Sequence, residues 1–228
     1  LNDIRNLECK IFVLTNIDLH LEHFQFFNVI EKKINTNQWN DFQRFEIIKF
    51  ALSQIEEGEC VYYLDSDSRF INCRTEKFDL LKFEKKLSTE SFDVMCPLFL
   101  AQVKEQLVKP EENENKNIRG FTFGYESVIE YFKKINNNYD IDIFNKAPLE
   151  TLLIFKRSEK MMRYINELIN FSHILINEEL KNGRKLPAPA CGFAMAMLKN
   201  IFEINIIENP IIYHFFKGNF LREVFPFN

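Results

Sequence analysis

The sequence predicts an α/β fold with a mixed, mainly parallel sheet covered by helices. Two short apolar runs, residues 10–15 and 61–64, have the length and composition of buried strands, and between them residues 19–34 and 41–55 show helical apolar spacing. Strands that are apolar throughout and joined by long crossovers are typical of a parallel sheet with helices on its faces. Ligands of such sheets gather beyond the carboxyl ends of the strands, so the residues that follow each run are the first candidates for a site.

Length, composition and charge fit a folded protein that does not bind nucleic acid. The chain has 228 residues, and the 46% that are hydrophobic are ample for a buried core. The net charge is −4 and no basic block is present, so electrostatics gives no support for a nucleic-acid partner. We therefore exclude that class.

Cysteine usage and hydropathy predict a cytoplasmic protein. No apolar run approaches the roughly 20 residues that span a bilayer, and the first residues lack the charged and then apolar layout of a signal peptide. Because the sequence starts with Leu1 instead of Met, we expect it to be an excerpt or a trimmed chain. The five cysteines are odd in number and never form a C-x-x-C pair, which favours reduced thiols over a disulfide or zinc framework.

Two carboxylates, Asp65 and Asp67, come directly after the apolar run 61–64. The two-residue period of a strand puts both side chains on one side of the backbone, where like charges repel unless a cation or a proton neutralises them. A divalent metal held by two carboxylates keeps open positions for water and phosphate. The spacing alone has low specificity, since Asp140 and Asp142 repeat it; that pair follows a polar run with no strand before it, and we interpret it as a solvated turn.

Three further residues of the first part of the chain are candidates for the same pocket. Thr15 ends the first predicted strand and Asn16 follows it. The carboxyl ends of this strand and of the strand 61–64 are expected to lie close together. Arg44 is early in the helix 41–55, on its predicted polar face. It could reach a phosphate or a base, and an ordinary solvated charge would give the same pattern.

Downstream, apolar periodicity predicts further strands and helices. Glu150 is an acid near the start of one predicted strand, and His214 and Lys217 follow the last one. The predicted helices are 77–87, 126–135, 158–180 with Ser158 as its cap, and 193–198; the predicted strands are 92–97, 149–155, 204–207 and 211–213; residues 187–192 are a stiff connector.

The segment Y-Y-L-D-S-D, residues 62–67, preceded by a helix with an early Arg44-Phe45 pair, resembles the D-x-D region of GT-A-fold glycosyltransferases. In that superfamily the motif binds Mn²⁺ or Mg²⁺ together with the diphosphate of a nucleotide sugar. His214 and the following Lys217 and Gly218 are similar to the C-terminal metal-binding His and Lys/Gly of the glycogenin-like family 8, although the full H-x-x-G-x-x-K-P-W pattern of that family is not present.

The resemblance implies a Rossmann-like GT-A fold and one glycosyltransferase-like domain, residues 1–228. Residues 1–100 would bind the nucleotide sugar, and residues 101–228 would bind the acceptor. The implied enzyme transfers a sugar from a nucleotide-diphosphate sugar, with a UDP-sugar favoured, to a hydroxyl of a carbohydrate or lipid-linked acceptor. This activity would serve surface polysaccharide or glycoconjugate synthesis at the inner face of the membrane, with peripheral membrane association.

The resemblance also implies roles for the candidate residues. Asp65, Asp67 and His214 would hold the metal, and Asp65, Thr15, Asn16, Arg44 and Lys217 would bind the nucleotide sugar. Glu150 is a candidate for a catalytic or sugar-binding carboxylate because it is one of few acids at the edge of a predicted strand in the second half of the chain, and a strand-end acid in solvent would give the same pattern.

Two alternatives remain open. Haloacid-dehalogenase-type phosphatases also place D-x-D after a buried strand, with Asp65 then the nucleophile and Asp67 the acid, but they need a late Asp-rich metal site and no Asp follows Asp142. A non-catalytic nucleotide- or carbohydrate-binding domain would keep the pocket and tolerate loss of the metal.

Overall fold

The computed structural model describes residues 10–15, 28–33, 43–64, 85, 87–96, 147–148, 152–181 and 190–208 of the chain. These residues form six strands and three helices of mixed α/β architecture. In chain order they are β1 (Lys10–Thr15), β2 (Asn28–Lys33), α1 (Gln43–Leu52), β3 (Cys60–Leu64), β4 (Val94–Cys96), β5 (Leu152–Lys156), α2 (Glu159–Lys181), α3 (Ala190–Leu198) and β6 (Ile206–Glu208).

The strands form two sheets. β1 and β2 pair in parallel along their full length, from Lys10 opposite Asn28 to Thr15 opposite Lys33. The other four strands form a second sheet in the order β3-β5-β4-β6, in which β5 is antiparallel to both of its neighbours and β4 is parallel to β6. The mixed character of the predicted sheet is confirmed, whereas a mainly parallel ladder is not, because two of the three pairings in the larger sheet are antiparallel.

The directions of the strands in the larger sheet bring four strand ends to one edge. β3, β4 and β6 run the same way and β5 runs against them, because β5 is antiparallel to β3 and β4. Leu64, Cys96 and Glu208 therefore end their strands at the edge where Leu152 begins β5. We call this edge, defined by those four residues, the carboxyl edge.

The three helices cover one face of this sheet. Alternate residues of β3 point to opposite faces, so Val61 and Tyr63 pack against the larger hydrophobic cluster while Cys60 and Tyr62 pack against a smaller one. The larger cluster contains buried side chains of all three helices, among them Phe45, Ile48, Leu52, Tyr164, Leu168, Phe171, Met195 and Leu198. This core draws on residues from both halves of the sequence.

Helix α1 contacts both sheets. The rings of Phe12 in β1 and Phe50 in α1 meet edge to face, with centroids 5.9 Å apart and planes at 88°. The other side of α1 belongs to the larger cluster, since Phe45, Ile48 and Leu52 are at most 1% exposed. The helix thus joins β1 and β2 to the sheet that carries the carboxyl edge.

Two predicted elements are wrong in the described residues. The helix predicted over 19–34 cannot include Asn28–Lys33, which is strand β2. Val29 and Ile30 are β-branched, and six residues pair with β1, so a ladder to a distant strand overrides a local helical pattern. The connector predicted over 187–192 ends earlier, because α3 already begins at Ala190.

Most of the remaining predicted elements that fall on described residues are confirmed, with boundaries shifted by a few positions. The predicted cap of the long helix is correct: the Oγ atom of Ser158 accepts a hydrogen bond of 3.0 Å from the backbone N–H of Met161. Gly58 lies in the turn before β3 with φ at +89°, a conformation that glycine adopts without strain. Among the helices described, none has the length and apolarity needed to cross a membrane.

Candidate functional site

The carboxyl edge is adjacent in sequence to two of the predicted site residues. β3 ends at Leu64, the residue before Asp65, and β5 begins at Leu152, two residues after Glu150. Leu64 and Leu152 are paired across the antiparallel ladder. In sequence, the first acid of the D-x-D motif and Glu150 are therefore one and two residues away from this pair.

Six of the predicted site residues lie outside the described residues. They are Asn16, Asp65, Asp67, Glu150, His214 and Lys217. Their predicted roles in metal, donor and acceptor binding stay predictions.

Thr15 is the last residue of β1 and pairs with Lys33 of β2. In the described residues β1 belongs to the two-stranded sheet and β3 to the four-stranded one. The expected convergence of their two ends within a single sheet is thus not confirmed. Both strands contact α1, which links them indirectly.

Arg44 differs most from its expected position. It was predicted on the polar face of its helix, yet its side chain is buried and only 4% exposed. The guanidinium carbon lies over the ring of Tyr63, 5.5 Å from the centroid. Because Tyr63 is the second-last residue of β3, this contact places the start of α1 beside the carboxyl edge.

The burial of Arg44 has a signal in the sequence. Arg44, Ile48, Ala51 and Ile55 follow each other at spacings of four, three and four, which is the pattern of one helix face. The arginine therefore occupies the first position of the apolar stripe. The charge of Arg44 predicted the polar face of the helix, whereas its position in the sequence indicates the apolar face.

The start of α1 also carries a small charge network on its exposed side. The two carboxylate oxygens of Glu46 lie 3.7 Å from Nε2 of His173 in α2 and 3.9 Å from Nζ of Lys32 in β2. The side chain of His173 is 64% exposed, so these contacts are screened by water. They link α1 to α2 and β2.

The predicted metal ligands Asp65, Asp67 and His214 lie outside the described residues. In the residues that the structure describes, no group of three His, Cys, Asp or Glu side chains is arranged to hold a metal ion. Among the described residues, Cys60, Cys96 and Cys191 are not in a disulfide. The donor set that the sequence predicts, two carboxylates and one imidazole, includes the carboxylate oxygens that suit Mn²⁺.

In comparisons with known protein families, with curated proteins and with solved structures, no match to this chain was found.

Proposed function

We propose that the chain is a metal-dependent glycosyltransferase that moves a sugar from a nucleotide-diphosphate sugar to a hydroxyl acceptor. The observation that carries the proposal is the pairing of Leu64 with Leu152 at the carboxyl edge. It supports a site there because the D-x-D motif follows the first of these residues and Glu150 shortly precedes the second. Ligands of α/β sheets bind beyond this kind of edge.

Covalent geometry limits how far apart the two acids can be. Consecutive Cα atoms are about 3.8 Å apart, so Asp65 begins within about 4 Å of Leu64 and Glu150 within about 8 Å of Leu152. Residues paired in an antiparallel ladder have Cα atoms about 4.5–5.5 Å apart. Chain connectivity therefore permits Asp65 and Glu150 to border one bound molecule, as the proposal requires.

The resemblance to GT-A glycosyltransferases assigns the roles. Asp65 and Asp67, with His214, would hold Mn²⁺ or Mg²⁺, which when bound offsets negative charge on the departing nucleoside diphosphate. Lys217 would add a positive charge next to the same phosphates. Glu150 would orient the sugar or accept the proton of the attacking hydroxyl, which requires hydrogen-bond distance to that hydroxyl.

A thermal-shift screen of nucleotide sugars with Mn²⁺ tests the proposal. We expect one donor to raise the Tm of the chain only when Mn²⁺ is present, and we expect Asp67→Ala to abolish the shift. Asp142→Ala is the matched control, since it removes the second acid of the other D-x-D pair and should leave the shift intact. Equal loss in both variants would contradict the assignment of the motif.

Two assays separate this function from its rivals. Binding of UDP or GDP that is independent of Mn²⁺, measured by calorimetry, would point to a non-catalytic binding domain. Hydrolysis of an aryl phosphate that is abolished by Asp65→Asn would point to a phosphatase. The transferase is supported by metal-dependent nucleotide binding together with transfer of the sugar, or its hydrolysis when no acceptor is present.

A further inference from the structure

We draw no further inference here: the strongest candidate, the side chain of Arg157 at the junction between β5 and α2, has two buried nitrogen atoms without a hydrogen-bond partner, but nothing in the described residues shows what it would bind.

Discussion

The ammonium group of Lys160 donates a hydrogen bond of 2.6 Å to Oδ2 of Asp93, and the same oxygen accepts one of 2.8 Å from the backbone N–H of Asn205. The backbone carbonyl of Asp93 also accepts a hydrogen bond of 2.9 Å from the N–H of Lys156. One aspartate therefore connects the start of β4, the end of β5, the first turn of α2 and the residue before β6. This cluster is at the end of the sheet opposite the carboxyl edge.

Asp93→Ala is expected to lower the free energy of unfolding by about 2 kcal/mol, since hydrogen bonds to charged groups contribute about 1.5–3 kcal/mol. Lys160→Met should cost about 1 kcal/mol or less, because the lysine side chain is 36% exposed and the backbone donor to Asp93 remains. Urea denaturation measures both values. A Lys160→Met variant as destabilised as Asp93→Ala would show that the ion pair, and not the backbone hydrogen bond, dominates.

Arg157→Met should leave stability unchanged or raise it by about 1 kcal/mol, because an unsatisfied buried donor costs about 1–3 kcal/mol. Within the described residues, Nε and Nη1 of Arg157 are buried and have no hydrogen-bond partner. Methionine retains much of the apolar side chain and removes both donors. Lys160→Met, three residues along the chain, is the matched control and should lower stability. Destabilisation by Arg157→Met would contradict the assignment of these donors as unsatisfied.

Ser158→Ala should lower the free energy of unfolding by about 1 kcal/mol, the usual effect of removing a helix N-cap. The hydroxyl of Ser158 satisfies the N–H of Met161, which otherwise has no acceptor in the first turn of α2. Ser158→Asp supplies a replacement acceptor and a charge that suits the positive end of the helix dipole, so it should match the unmodified chain. Equal stability of the Ala and Asp variants in chemical denaturation would exclude a capping role.

Because the hydroxyl of Tyr164 is buried, the protein is expected to lose stability at alkaline pH. Burial raises the pKa of its hydroxyl well above the ordinary value of 10.0, and the hydroxyl donates a hydrogen bond of 2.7 Å to the backbone oxygen of Met195. Above pH 10 the unfolded chain releases this proton while the folded chain retains it. The contribution of Tyr164 is thus complete below pH 10 and decreases by up to about 1.4 kcal/mol per pH unit until the folded pKa is reached.

Tyr164→Phe isolates this contribution. At neutral pH we expect it to cost about 1 kcal/mol, because one hydrogen bond is lost while the Met195 oxygen still accepts from the N–H of Lys199 at 3.1 Å. The difference from the unmodified chain should be constant from pH 7 to 9 and shrink above pH 10. Urea denaturation across this range gives the comparison, and a difference that does not change above pH 10 would contradict the raised pKa.

Local patterns predicted several elements because their signals are carried within the element itself. The apolar run at 61–64 becomes β3, and the periodicity of 41–55 becomes α1 with Ile48 and Leu52 in the core. Ser158 caps α2 as expected, since a side-chain acceptor and a backbone donor three residues apart need no distant partner. Of the candidate site, the role assigned to Asp65 and Asp67 stays a prediction, since both lie outside the described residues.

Position within the larger structure could not be predicted in the same way. Asn28–Lys33 has apolar residues compatible with a helix, and its strand conformation depends on the ladder to β1. The side chain of Arg44 is buried because α1 packs against β3, although its charge predicted an exposed position. Both outcomes depend on residues that are distant in sequence.

The sequence by itself determined that β1 and β3 are apolar strands, that α1 and α2 are helices, and that two acids directly follow β3. The tertiary structure decided that β5 runs between β3 and β4 in the opposite direction, so that the residues before β5 and after β3 leave the sheet at the same edge. The physical reason is the range of the interactions. Propensity, capping and periodicity act over a few residues, whereas strand pairing and burial depend on partners that only the folded chain brings together.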